Sequence, residues 1–220
     1  MFLCSKFYYF CSMNSLKILR NIPASSSVIG NLYPNVVGKS QKIRSLEKDK
    51  KIIRLKRGLY VVNPQISDIS ISTELIANHL YGPSYLSMLS ALRYYGLIPE
   101  AVQETQSLTV KHSRTFENHF GLFRYLNCPV NYFSIGLTQQ KTGDAFFVIA
   151  SPEKALCDLI VHTSGLNLRY QKECLAFLEQ DLRLDMDAFH EMNPEIFHQC
   201  ANVGKKTNAL NLIAKILENE

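Results

Sequence analysis

The stretch KSQKIRSLEKDKKIIRLKRGLY, from Lys39 to Tyr60, decides how the amino-terminal part of this chain folds. Between Lys39 and Arg57 it holds nine Lys or Arg and only two acids, Glu47 and Asp49, against a net charge of +5 for all 220 residues. The positive charge is therefore concentrated in one place, and a polyanion is the natural partner of such a segment. Over Lys39 to Lys50 a 3.6-residue period puts Ile43, Leu46 and Glu47 on one side and Gln41, Arg44, Ser45 and Lys48 on the other. One face packs and the other is offered to a partner. Beyond it, Ile53 and Leu55 alternate with Arg54 and Lys56, Arg57-Gly58 supplies a turn, and Leu59 to Val62 reads as a return strand.

Working outward, NSLKILRNIP after Met13 predicts a short helix capped by Asn14 or Ser15 and ended by Pro23. Ser25 to Ser27 cap a second one through Val28, Ile29 and Leu32, and Asn35 to Gly38 read as a turn. Three helices followed by a basic hairpin is the plan of a winged helix-turn-helix over residues 13–64, in which the third helix enters the major groove. Gln41 and Arg44 suit base edges, because Gln can bond adenine and Arg guanine in bidentate geometry. Lys39, Lys42, Lys48, Arg54, Lys56 and Arg57 suit phosphates, where charge matters more than shape, and Ser40 and Ser45 complete the candidate DNA-binding set.

Composition sets the bounds. With 46% hydrophobic and 20% charged residues the chain can build a core, and its length suits two domains. The six cysteines, Cys4, Cys11, Cys128, Cys157, Cys174 and Cys200, form no CxxC pair and no short Cys/His alternation, which argues against zinc, and a chain of this size with no clear direction to an oxidising compartment needs no disulfide framework. No cofactor and no metal are expected. Residues 1–12, MFLCSKFYYFCS, are apolar but interrupted by Lys6 and lack a small-residue cleavage site, so they read as an extension ahead of a possible start at Met13. No segment reaches the ~18 apolar residues needed to span a bilayer, and a cytoplasmic location with no membrane partner is expected.

Asn63-Pro64 marks a boundary, and residues 65–220 read as a larger α+β domain with a helical tail. Thr73 to Leu80 and Ser84 to Tyr95 are predicted helices, the second opened by Pro83 and closed by Gly96. Strands are predicted around Ser107 to Val110, Leu122 to Leu126, Tyr132 to Ile135 and Ala145 to Ile149. Ser151 caps a helix with Pro152 at its first position. After Gly165, helices are expected over Tyr170 to Asp181, near Ala188, around Ile196 and over Ala209 to Glu218.

Three phrases carry a family likeness: RGLY at Arg57 to Tyr60, YLSMLSALRYYGLIPE at Tyr85 to Glu100, and ASPEKALCDL at Ala150 to Leu159. In this order and spacing the chain resembles the abortive-infection type IV antitoxins, the AbiEi-like transcriptional regulators, over Ser15 to Gly165. The resemblance implies an N-terminal domain that represses its own operon at an inverted-repeat operator in double-stranded DNA, with two protomers on half-sites. It implies a C-terminal domain that counters a co-encoded nucleotidyltransferase-like toxin without a stable complex. The family's DNA-contacting helix falls on Lys39 to Lys50 and its wing on Ile53 to Val62. Two departures stand out: residues 1–12 are extra, and Asp49-Lys50 occupies the place where a glycine is expected before the wing.

Catalysis is the competing class. The six histidines make no HExxH and no i, i+4 pair, and the chain has no GxSxG, P-loop or GxGxxG. Cys157 and His162, five residues apart on one helix, point in different directions. Asp144, Glu153 and Lys154 come nearest to a metal-nuclease set, but their order is wrong and Glu153 suits a helix start. Tyr81, Tyr85, Tyr94 and Tyr95 at helical spacing read as core before they read as an RNA-stacking surface. The sequence thus points to a regulator that is no enzyme, the alternative being an RNA-binding or nuclease-like factor.

Overall fold

A computed structural model describes residues 15–219; the expectations placed on residues 1–12, Met13 and Asn14 fall outside the described residues. The chain is mixed α+β, with a three-stranded and a six-stranded sheet among those residues. No helix there is long and apolar enough to cross a membrane.

The first helix is shorter than predicted. Residues 15–17 make one turn around the buried Leu16, after which Arg20 adopts φ +52° and reverses the chain. Ala24–Ser25 then form β1, a two-residue strand invisible to pattern reading. Ser25 caps α1 (Ser26–Asn31), its hydroxyl accepting from Val28 N–H at 3.3 Å. A turn at Tyr33 to Gly38 leads into α2 (Lys39–Lys48). A Cβ at Gly30 would lie 3.3 Å from Lys39 Cδ on the facing helix, a contact that a small shift of that exposed lysine relieves.

The ending of α2 accounts for the missing glycine. Lys50 N–H donates to Glu47 C=O (3.0 Å) and Lys51 N–H to Leu46 C=O (2.8 Å), with Lys50 at φ +55°. These are the paired bonds of a Schellman cap, in which the left-handed residue is usually glycine. A side chain in that region costs about 1–2 kcal/mol. Lys50→Gly is therefore expected to raise the unfolding free energy by about 1 kcal/mol. Denaturant unfolding checks this, and a loss of stability would contradict the cap.

Strands β2 (Ile52–Lys56) and β3 (Leu59–Val62) pair antiparallel, with an irregularity between Arg54 and Lys56, and β1 joins on the other side of β3. The order is β1-β3-β2. Leu16, Ile29, Ile43, Leu46, Ile52 and Val62 are buried together beneath this sheet.

Asn63 caps α3 (Pro64–Ser67), and α4 (Thr73–Leu80) follows with Ser72 as cap and the bounds the sequence predicts. The predicted helix at Ser84 to Tyr95 divides: Ser84–Leu86 is strand β4, and only Met88–Tyr94 is helical (α5). Tyr85 and Leu86 are both buried in the sheet interior, so the local apolar run belongs to a strand covered on two faces. Strands β5 (Glu104–Thr109), β6 (Arg114–Asn118) and β7 (Gly121–Asn127) come next. Val130–Phe133 is a short helix, α6, where a strand was expected from Tyr132. Then β8 (Leu137–Thr142) and β9 (Ala145–Ala150) complete the sheet. Its order is β6-β7-β5-β4-β9-β8, with β4/β9 and β5/β7 parallel.

Helix α7 (Pro152–His162) packs on this sheet, Ser151 Oγ accepting from Lys154 N–H at 3.3 Å. The tail is α8 (Gln171–Ala176) continued by a π-turn to Asp181, α9 (Met186–His190), α10 (Pro194–Val203) and α11 (Thr207–Glu218).

The hairpin β2–β3 is buried on both sides. Leu55 and Val61 face away from the first core and pack with Ile76, Ala77, Leu80 and Phe123. Asn118 Nδ2 on β6 donates to Leu55 C=O at 3.2 Å. The boundary at Asn63-Pro64 is thus bridged by an apolar seam.

Candidate nucleic-acid interface

Helix α2 buries Ile43 and Leu46 and leaves Lys39, Ser40, Gln41, Arg44, Ser45 and Lys48 exposed. The exposed set follows the i, i+3/4, i+7 spacing of one helical face, so these side chains project together. Val37, in the turn just ahead of the helix, is fully exposed. An apolar side chain at that place can meet a thymine methyl. Sequence reading left Val37 aside, because nothing in the letters separates an exposed turn valine from a buried one.

The cations of this segment differ in freedom. Arg44, Lys48 and Arg57 are exposed and have no carboxylate partner among the described residues. Lys39 Nζ donates to Asn31 Oδ1 at 3.3 Å, and Lys42 Nζ lies 4.7 Å from the Tyr33 ring centroid. Ser45 Oγ reaches Asp49 at 3.4 Å. All three remain near the outer face. Arg54 is different: its guanidinium donates to Glu47 Oε2 at 2.7 Å, so the one acid inside α2 neutralises a hairpin cation and ties β2 to the helix. Glu47 also lifts the Arg54 pKa above its ordinary value.

Lys56 does not project from the hairpin at all. Its ammonium donates to Leu80 C=O at 2.5 Å and sits 5.6 Å from the Phe116 centroid. Burial, then Arg114 and Lys111, push its pKa down. The expected phosphate contact is therefore drawn into the seam, leaving Arg57 at the turn, where Gly58 adopts φ +79°, as the free hairpin cation.

The residues nearest to a nuclease set are not brought together. Asp144 is paired with Arg20, and Glu153 Oε1 accepts from Asn193 N–H at 3.1 Å. Lys154 is wholly buried, 3.2 Å from Asp158 Oδ1, and donates to Tyr132 C=O at 3.0 Å. Cys157 is likewise buried, and burial pushes its thiol well above the usual range, away from a ready thiolate. Of the four tyrosines, Tyr85 is core, whereas Tyr94 is exposed. Among the described residues no three His, Cys, Asp or Glu side chains are arranged to hold a metal ion.

No protein-family model matches this chain, and no curated protein matches it either.

Proposed function

We propose that residues 13–64, described from residue 15 onward, are a winged helix-turn-helix that binds duplex DNA, with α2 as its recognition helix and β2–β3 as its wing. The observation that carries this reading is the exposed row Gln41, Arg44, Ser45 and Lys48, backed by buried Ile43 and Leu46 and flanked by a hairpin whose sheet runs β1-β3-β2. A helix with one packed face and one unpaired cationic face fits a major groove, where Gln and Arg read base edges. Arg57 at the wing turn reaches the neighbouring phosphates.

The likeness of RGLY, YLSMLSALRYYGLIPE and ASPEKALCDL to AbiEi-like antitoxins extends the proposal to a transcriptional regulator. It represses its own operon at an inverted repeat and counters a nucleotidyltransferase-like toxin through the second domain. Two protomers would then occupy half-sites about one turn, ~34 Å, or a multiple apart.

The test is a selection of bound duplexes from a random pool, followed by Arg44→Ala. The variant is expected to lose about 1–3 kcal/mol on the selected sequence and to relax preference at one base pair. An equal loss on selected and random duplexes would make Arg44 a backbone contact and remove α2 from base reading.

A further inference from the structure

The seam that captures Lys56 gathers two more cations. Arg114 Cζ lies 4.8 Å from the centroid of the same Phe116 ring, and Lys111 Nζ lies 5.3 Å from that of Tyr81. The two rings are themselves 5.5 Å apart. Three positive groups thus surround one aromatic ledge, and no carboxylate among the described residues pairs with any of them. Glu117, the acid of β6, alternates onto the opposite side of that strand from Arg114 and Phe116.

A purely architectural account would make these cations caps for α4. Lys56 does donate to Leu80 C=O, and Lys111 Nζ donates to Gly82 C=O at 2.5 Å. The end of a helix carries only roughly half an elementary negative charge. Capping therefore leaves roughly two and a half positive charges unbalanced. Like charges held this close repel, and mutual repulsion is what depresses Lys56 after burial. Arg114 makes no bond to the α4 carbonyls, and both Arg114 and Lys111 are exposed.

We infer that Lys111 and Arg114 form a second phosphate-binding strip that continues the wing onto the larger domain and holds the sugar-phosphate backbone of the same duplex. The inference rests on the DNA-binding role of α2. Its geometry follows from the seam: Leu55 and Val61 pack against α4 and β7, and Asn118 ties β6 to β2, so the strip keeps a fixed position around Lys56, the residue before Arg57. The run Lys111-His112-Ser113-Arg114 is visible in the letters, but its nearness to Lys56 depends on a fold that joins segments far apart in sequence. A duplex seated on α2 would thus be gripped on both sides of the wing.

The experiment measures affinity for duplex DNA against salt with the full chain. Each phosphate contact contributes about 0.9 to the slope of log affinity against log salt. Lys111→Gln with Arg114→Gln is expected to flatten the slope by about two while sequence preference stays as in the wild type. Lys111→Arg with Arg114→Lys, which keeps both charges, should retain the slope. Should the Gln pair unfold, Arg114→Gln alone is expected to remove about one unit. A steep wild-type slope left unchanged by these substitutions overturns the strip and leaves the role of α2 standing. A wild type that binds no duplex removes both.

Discussion

Replacing Asp158 by alanine is expected to lower the unfolding free energy by about 3–5 kcal/mol, the range for stranding one member of a buried ion pair. Lys154 and Asp158 are both fully inaccessible to solvent. Their pairing spans one turn of α7, and Asp158 Oδ2 also accepts from Ser87 Oγ at 2.6 Å, just beyond β4. The ion pair thus fastens α7 to the central sheet. Without the carboxylate, the ammonium keeps only the Tyr132 carbonyl as an oxygen partner, beside the faces of Tyr85 and Tyr132. For a chain of this size the thermal midpoint should drop by about 6–20 °C. Adding Lys154→Met to Asp158→Ala should recover most of the loss, because the uncompensated charge goes with it. A single-variant loss under about 1 kcal/mol would mean that the pair is solvated. The expected large loss would give the phrase SPEKALCDL a structural meaning as helix cap, core and buried pair.

The second large effect concerns binding. Arg44, Lys48 and Arg57 lie off the core, have no carboxylate partner among the described residues, and span α2 and the β2–β3 hairpin. Changing all three to Gln is expected to weaken duplex binding by about 3 kcal/mol, on the order of a hundredfold. Stability should move by no more than about 0.5 kcal/mol. Unaltered affinity with an unaltered fold would remove α2 and the hairpin from the proposed DNA contact.

What the letters disclosed, and what they hid, follows from where each signal lives. The start of α7 was legible because Ser151 and Pro152 are local capping signals. The packed and open faces of α2 were legible because Ile43 and Leu46 keep helical spacing. Strand β4 was not, since Tyr85 and Leu86 belong to a two-sided interior strand whose apolar run looks like a helix face. The polar strands β6 and β8, at the two edges of the large sheet, escaped for the opposite reason: edge strands need little apolar alternation. In the interface, the fates of Arg54 and Lys56 were hidden because each depends on a partner supplied by the fold. Glu47 neutralises the first across the helix–hairpin junction, while Leu80 and Phe116 hold the second.

Salt dependence of duplex affinity for the full chain tests the central claim most directly. With about four phosphates met by Lys39, Lys42, Lys48 and Arg57, log affinity should fall against log salt with a slope of about −4 or steeper. The Arg44, Lys48 and Arg57 triple variant should flatten it by about two, the share of Lys48 and Arg57, Arg44 being the base contact. A slope near zero, or one identical in the wild type and the triple variant, would contradict the assignment of α2 and the wing to the DNA backbone.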